Sequence, residues 1–311
     1  MQRKTAVTLG VTVLAAAVVF AACERGGQDL TTPRAIASPR LAATQDLVGT
    51  PDLVVETSVL ASSWNVREED FVEGQCSVEE GNIPTGTHRS LRFSVLIVNI
   101  GDADLYVGDP LAHMDPNGDG NFADQDGLFE FASCHAHFHF RNYAKYELLR
   151  VNPNGSVGPP VQARKRGFCM LDTTPTRTDE SPPKGRYYMN CGNLTLHGNQ
   201  GISTGFGDMY VKQLPGQLFL LSDPNEPVPP GTYVMRITAN PPFTPVNGEV
   251  CPVQDAQGFC HMFKEARYDN NVGEVRIVIP DRVGRTGYGP GAGQYKEELD
   301  AAHHPEAHGK H

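Results

Sequence analysis

The feature that most constrains the fold is a succession of short β-branched and aromatic runs separated by clusters of Gly, Pro, Asn and Asp. The strongest run, 91–100 (Leu-Arg-Phe-Ser-Val-Leu-Ile-Val-Asn-Ile), is apolar on both faces in its second half, as a central strand is. Further runs span 143–151, 217–221, 232–239 and 274–279. No window of a dozen residues in this region has a helical period. With 32 glycines and 24 prolines, the pattern predicts an all-β fold over 51–280, a β-sandwich with long loops and little helix.

The segment before this domain is typical of an export signal. Basic residues at the start are followed by an uncharged run, 6–20, which is short for a bilayer span but suits a secretory signal. We therefore predict a signal peptide over 1–22. Two alanines before Cys23 resemble a bacterial lipoprotein cleavage site, which would make Cys23 the lipid-bearing N-terminus. The alternative is an ordinary signal peptide with an incidental Cys, and both interpretations predict an exported protein.

Polar segments flank the predicted domain. Residues 23–50 are small and polar, as in a flexible tether from the membrane, and 281–311 is Gly-rich and then polar, which predicts a disordered tail. The tail carries the histidines His303, His304, His308 and His311, which we expect to be solvated. The net charge of -10 argues against a nucleic-acid partner. We expect membrane contact only through the N-terminal lipid, as in a cell-envelope lipoprotein.

Six cysteines follow Cys23, an even number in an oxidising compartment. This favours disulfide bonds over thiolate metal sites, although counting cannot assign the pairs. Cys251 and Cys260 bracket a short polar loop and are a candidate local pair. The absence of a Cys-x-x-Cys motif argues against a thiol redox enzyme.

The sharpest chemical motif is a run of alternating histidines, His135, His137 and His139. Alternate residues of a strand share a face, so three imidazoles would line one side. Same-face neighbours are roughly 6.5–7 Å apart, so two imidazoles reach one metal easily and the third requires a bend or bulge. Neutral imidazoles suit Cu(II) or Zn(II), and three of them with open positions indicate a catalytic site. The alternative is three surface histidines.

A second metal-binding pattern precedes the histidines. Asp115, Asn117 and Asp119 stand at positions 1, 3 and 5 of an EF-hand-like loop, and Asp126 stands at position 12. The twelfth residue is Asp rather than Glu, and the flanking segments are not helical, so we predict a calcium loop inserted between strands. Its expected role is to order the chain before the histidines; an acidic turn without metal is the alternative.

Taken in order, these motifs resemble those of the lysyl oxidases, which are copper- and quinone-dependent amine oxidases. The histidine run with its preceding Cys resembles the family's copper motif. Residues 165–173 (Lys-Arg-Gly-Phe-Cys-Met-Leu-Asp-Thr) and 200–210 (Gln-Gly-Ile-Ser-Thr-Gly-Phe-Gly-Asp-Met-Tyr) are similar to the segments that hold the lysine and the tyrosine of the quinone. The resemblance covers about residues 70–280, including Pro230-Gly-Thr-Tyr and Tyr268-Asp-Asn-Asn near its end.

The resemblance implies that the three histidines bind copper and that Lys165 and Tyr210 form lysine tyrosylquinone. The enzyme would oxidise primary amines, on protein lysines or small molecules, with O₂ to aldehydes, releasing hydrogen peroxide and ammonia. Lys165 lies between Arg164 and Arg166, and we expect these like charges to lower its pKa and so to assist an amine nucleophile.

The resemblance leaves the proton-abstracting base open. Where the family has a histidine shortly after the copper motif, this chain has Lys145, and Asp208 and His197 are alternatives. We carry Asp208 forward with Lys165 and Tyr210 as the catalytic residues.

The resemblance also implies a disulfide between Cys134 and Cys191. It leaves Cys169 without its usual close partner, so that Cys76 is the remaining candidate for Cys169.

Two functions of other classes compete with the oxidase. One is a copper-binding lipoprotein that keeps the histidines without making a quinone. The other is a zinc hydrolase, which is disfavoured because no Glu-bearing helix or plain nucleophile arrangement accompanies the histidines.

Overall fold

The computed structural model describes residues 49–176, 185–246 and 250–293. The predicted signal peptide, Cys23, the tether up to residue 48 and the four tail histidines lie outside the described residues. Within the described ranges, no helix has the length and apolar character needed to cross a bilayer.

Short strands dominate the described chain. The strands are β1 (Leu53–Val55), β2 (Asn65–Phe71), β3 (Gly86–Arg92), β4 (Val95–Asn99), β5 (Leu105–Gly108), β6 (Phe129–Ala132), β7 (His137–Arg141), β8 (Ala144–Val151), β9 (Val157–Gln162), β10 (Gly167–Phe168), β11 (Thr174–Pro175), β12 (Gln200–Ile202), β13 (Phe206–Tyr210), β14 (Leu218–Leu220), β15 (Gly231–Ala239), β16 (Val253–Gln254), β17 (Cys260–His261) and β18 (Val272–Ile279). The helices are α1 (Thr57–Ser63), α2 (Cys76–Glu79), α3 (Pro110–Met114) and a 3₁₀ turn (Phe122–Asp124). The prediction of an all-β fold with little helix is confirmed.

Two four-stranded antiparallel sheets contribute to one hydrophobic core. Their strand orders are β1-β4-β13-β11 and β18-β15-β8-β9. Strand β4 is central in the first sheet and all its residues are buried, as its apolar run predicts. The predicted strand 91–100 is interrupted after Arg92, so its first part ends β3, which pairs with β2 and β14 in another sheet. Strand β13, which pairs with β4, ends at Tyr210 and carries that side chain into the core.

The histidine motif lies in a smaller sheet of order β10-β7-β6. The aromatic side chains of β7 alternate with its histidines: Phe138 and Phe140 are opposite Phe131 and Phe129, and ring centroids of each pair are 5.4 and 5.2 Å apart. This packing fixes the register of β7. The register in turn places His139 directly opposite Glu130 of β6.

Three disulfide bonds join the six cysteines of the domain. Cys251–Cys260 confirms the local pair. The other two expected pairs are wrong, because the bonds are Cys76–Cys134 and Cys169–Cys191. The turn that carries Cys134 lies against helix α2, and the Cα atoms of Cys76 and Cys134 are 5.5 Å apart, within the range a disulfide spans.

Residues 281–293 differ from the disordered tail predicted from residue 281 onward. Tyr288 exchanges two backbone hydrogen bonds with Val66 of β2, and its ring lies 5.9 Å from that of Trp64. A Cβ on Gly289 would lie 2.5 Å from the Trp64 ring, so glycine is required for this close approach. The chain therefore packs on the domain up to Gly291, whose amide donates to the carbonyl of Trp64.

Candidate metal and cofactor site

The three histidines are brought together by a turn followed by a strand. Only His137 and His139 belong to β7; His135 precedes it in a turn. Ala136 has a φ of 54°, a left-handed conformation that bends the chain where the sequence analysis requires a bend. The ring centroids are 5.6 Å (His135 to His137), 5.0 Å (His135 to His139) and 4.9 Å (His137 to His139) apart. All three imidazoles thus face a common space.

The two strand histidines are buried, and His137 has the protonation state that a metal requires. Their Nε2 atoms are 3.1 Å apart, a separation that lets both bind one ion through bonds of about 2.0–2.1 Å. Burial, together with the charges of His135 and Lys165, lowers the pKa of His137 to about 3. Its imidazole is therefore neutral at physiological pH, which is the form that ligates a metal.

A carboxylate absent from the sequence analysis joins this cluster. Glu80 lies at the end of α2, with one oxygen 2.5 Å from His135 Nδ1 and the other accepting the Cys134 amide at 2.7 Å. Glu80, His135 and His139 are the group of three metal-ligating side chains found among the described residues, with ligand atoms within 4.8 Å of one another. Burial favours a higher pKa for Glu80, but the hydrogen bond and charge of His135 outweigh it and lower the pKa.

Lys165 and Tyr210 are close neighbours next to the histidines. Lys165 Nζ lies 5.3 Å from the centre of the Tyr210 ring and 5.5 Å from that of Phe168. The Tyr210 side chain is fully buried, and its hydroxyl donates to the carbonyl of Cys169 at 2.8 Å. Phe168 stands edge-on to Tyr210 at 5.2 Å between centroids, and Tyr143 is on the same aromatic wall. The phenol ring is therefore held with the amine next to it.

Burial lowers the pKa of Lys165 to about 8, while the charges of Glu80, Asp208 and Glu130 oppose the fall. The direction of this shift is as predicted, but its cause is not the flanking arginines. Arg164 turns away to form an ion pair with Asp223. The physical reason is that the Lys165 amine is directed into the aromatic interior, where an ammonium group loses hydration.

The three candidate bases occupy different environments. Asp208 is fully buried on β13, two residues before Tyr210 and hence on the same face of the strand. Burial raises the pKa of Asp208 well above its ordinary value, against the opposing effects of Tyr210 and Lys165. Lys145 is exposed and pairs with Glu147 at 2.7 Å. The side chain of His197 is 83% exposed, and its Nδ1 is hydrogen-bonded to Asp109 at 2.5 Å. It lies outside the interior that holds Tyr210.

A polar cavity of about 250 Å³ connects the histidines to the lysine. Its walls include Glu80, His135, His139, Lys165 and Gly167. A Cβ on Gly167 would lie 2.6 Å from His139 Nδ1, so glycine is needed for β10 to approach β7 this closely. The cavity therefore opens onto two of the three histidines and onto Lys165.

The predicted calcium ligands lie elsewhere, in an exposed loop between α3 and β6. Asp115 accepts the amides of Asp119 and Gly120 at 3.0 and 2.8 Å, and Asn117 also accepts the Asp119 amide. Asp126 is 2.6 Å from His113 Nδ1, on the other side of the loop. These oxygens organise the loop through hydrogen bonds, and the calcium site stays a prediction.

Sequence reasoning missed Glu80, Glu130 and Gly167. Glu80 follows Cys76 by four residues, so knowledge of the Cys76–Cys134 bond would have placed it next to the histidines. Glu130 is opposite His139, a relation that only the β6–β7 register reveals. Nothing in the sequence alone marks Gly167.

The fold and the site define an all-β domain with a histidine cluster next to a lysine and a fully buried tyrosine. A model of the lysyl oxidase family matches residues 51–251, more than half of the chain, and the chain belongs to this family.

Individual relatives match the chain over part of their length. The chain is 30% identical over 193 residues to lysyl oxidase homolog 3B of Danio rerio, covering 61% of this chain and 19% of that protein. It is 29% identical to lysyl oxidase homolog 3 of Homo sapiens over 60% of this chain and 23% of that protein. For lysyl oxidase homolog 2 of Bos taurus the identity is 28% over 72% of this chain and 26% of that protein. The matched region thus spans about a quarter or less of each of these relatives.

Proposed function

We propose that this chain is an exported copper amine oxidase of the lysyl oxidase type. The net reaction converts a primary amine, O₂ and water into an aldehyde, ammonia and hydrogen peroxide. The observation that carries the proposal is the 5.3 Å distance between Lys165 Nζ and the buried Tyr210 ring, with Lys165 lining the same cavity as His135 and His139.

The residues fit the metal and the cofactor that the family implies. His135, His137 and His139 would hold copper, which fits the convergence of their rings and the 3.1 Å between two Nε2 atoms. Copper held there would supply, with O₂, the oxidation that the Tyr210 ring needs to become a quinone. Lys165 would be the nucleophile that adds through Nζ, and its lowered pKa supports this role because only the neutral amine is a nucleophile.

The neighbouring side chains would position the reacting groups. Phe168 and Tyr143 hold the Tyr210 ring and exclude water from it. Asp208, on the same strand face as Tyr210, would accept the α-proton of the substrate. Burial raises the pKa of Asp208, so its ionised form is a stronger base than an ordinary aspartate, and Asp208 must lose its own proton before it can act.

The setting of the enzyme forms part of the same proposal. Residues 1–22 would be a signal peptide, and Cys23 would carry the lipid that anchors a cell-envelope lipoprotein. The substrate would be a primary amine, on a protein lysine or a small molecule, and calcium would order the loop at Asp115, Asn117, Asp119 and Asp126.

Aerobic loading of the purified protein with copper tests this function. We expect quinone absorbance, quinone staining and amine-dependent hydrogen peroxide, all abolished by Tyr210→Phe and by Lys165→Ala. Tyr187→Phe is the matched control, because Tyr187 is 61% exposed and outside the site. Copper binding without quinone in the unmodified sequence would identify a copper-binding lipoprotein instead, and hydrolysis by zinc-loaded, oxygen-free protein would identify a hydrolase.

A further inference from the structure

Glu80 makes two hydrogen bonds that connect helix α2 to the histidine turn. One carboxylate oxygen accepts the Cys134 amide at 2.7 Å, and the other is 2.5 Å from His135 Nδ1. The Cys76–Cys134 disulfide joins the same two segments. Glu80 is thus held at both ends, by its helix and by the turn that it contacts.

His135 differs from the other two histidines in its backbone support. His137 and His139 belong to β7, and their partners on β6 are Ala132 and Glu130. His135 lies outside this ladder, beyond the left-handed Ala136. Its ring orientation therefore depends on side-chain contacts, among them the 2.5 Å bond between its Nδ1 and the Glu80 carboxylate.

The contact also determines which ring nitrogen carries the hydrogen. An ionised carboxylate can only accept hydrogen bonds. The ring hydrogen of a neutral His135 must therefore be on Nδ1, the nitrogen that contacts Glu80. Nε2 then keeps its lone pair for a metal. We propose that Glu80 is a positioning residue of the metal centre, which fixes the tautomer and the ring orientation of His135 so that Nε2 is its metal-binding nitrogen.

Copper affinity tests this role directly. The dissociation constant of copper, measured by competition with a chelator, is expected to rise roughly 10- to 100-fold in Glu80→Gln, the range typical of outer-shell partners of metal-ligating histidines. The Gln side chain has one acceptor oxygen and cannot serve both the Cys134 amide and His135. Glu79→Gln is the matched control, because Glu79 is the exposed neighbour in α2 and makes neither bond.

A spectroscopic readout separates positioning from a general loss of structure. The copper EPR spectrum of Glu80→Gln is expected to show altered nitrogen hyperfine coupling, with the melting temperature close to that of Glu79→Gln. Equal copper affinities and identical EPR spectra for Glu80→Gln and Glu79→Gln would overturn the proposal.

The unsubstituted, metal-free protein provides a test that does not depend on folding of a variant. At a pH at which His135 is neutral, long-range ¹H–¹⁵N NMR is expected to show the Nδ1-protonated tautomer, and a neutral ring with its hydrogen on Nε2 would refute the inference. The inference rests on the three-histidine site of the proposed function. Because it is measured by metal affinity and by tautomer, its failure is distinguishable from a failure to form the quinone.

Discussion

The histidine turn and the Asp115–Asp126 loop are both metal-binding patterns in the sequence, but the structure builds them differently. His137 and His139 are 7% and 5% exposed and are fixed by strand register and by aromatic packing. Asn117 and Asp119 are exposed, and their oxygens accept amides of their own loop. The first pattern is preorganised by the fold, whereas the second is organised mainly by hydrogen bonds within the loop, with Asp126 bonded to His113 of α3.

The spacing of residues in a motif specifies the types of ligand but not whether the ligand atoms converge. A motif provides ligand types, but convergence of the ligand atoms requires elements that hold them before the ion arrives. For the histidines, β7 and α2 provide those elements. For the loop, an ion must order exposed residues when it binds, so we expect weaker binding and a smaller effect on the histidine site.

The largest expected contrast between the two regions is in copper binding. His137→Ala removes a buried ligand and should weaken copper binding by more than about 100-fold, beyond the loss typical of an outer-shell partner. Asp119→Asn changes the loop and should leave copper affinity unchanged. Chelator competition measures both, and similar losses in the two variants would contradict the comparison.

The buried site should also carry a stability cost that the loop lacks. The pKa of Lys165 falls from 10.5 to about 8, which corresponds to about 3 kcal/mol against the ammonium form in the folded protein. At pH 7 the amine is protonated in both the folded and the unfolded states, so removing its charge relieves this cost. Lys165→Met should therefore raise the free energy of unfolding of the metal-free protein by up to about 3 kcal/mol. Denaturant unfolding at pH 7 checks this, and a variant less stable than the parent would refute it.

Quinone formation should depend on pH through the same group. Below a pKa of about 8, the neutral fraction of Lys165 falls about tenfold per pH unit, so that about a tenth is neutral at pH 7. With copper and O₂ saturating, the initial rate of quinone absorbance should rise from pH 6 to 8 and level off above. A rate that is flat over this range, or that keeps rising toward pH 10, would show that the amine is not held as described.

The smallest expected effect is that of calcium on the loop. Calcium at ten times its dissociation constant should stabilise the folded protein by about 1.4 kcal/mol. The shift in melting temperature should disappear in the double variant Asp115→Asn, Asp119→Asn, while copper affinity stays unchanged. An equal shift with and without these carboxylates would place calcium elsewhere.

The sequence specifies the parts of the site that depend on local pattern. Alternation predicts that His137 and His139 share a face opposite Phe138 and Phe140, and the apolar run at 95–99 predicts a buried central strand. The order of the lysine and tyrosine segments indicates the family, which the family model confirms.

The predictions that were wrong concern features that depend on tertiary contacts. The Cys76–Cys134 and Cys169–Cys191 bonds follow from which loops meet, information that spacing does not contain. The low pKa of Lys165 comes from burial among aromatic rings rather than from its sequence neighbours, and burial is a property of the whole fold.

The proposed cofactor requires that Lys165 and Tyr210 become covalently joined next to the histidines. Peptide mapping by tandem mass spectrometry after aerobic copper loading tests it most directly. We predict one cross-linked species that contains both residues, heavier than the sum of the two unmodified peptides because the quinone gains an oxygen atom that outweighs the hydrogens lost. Separate unmodified peptides carrying Lys165 and Tyr210, recovered from fully metallated protein, would contradict the account.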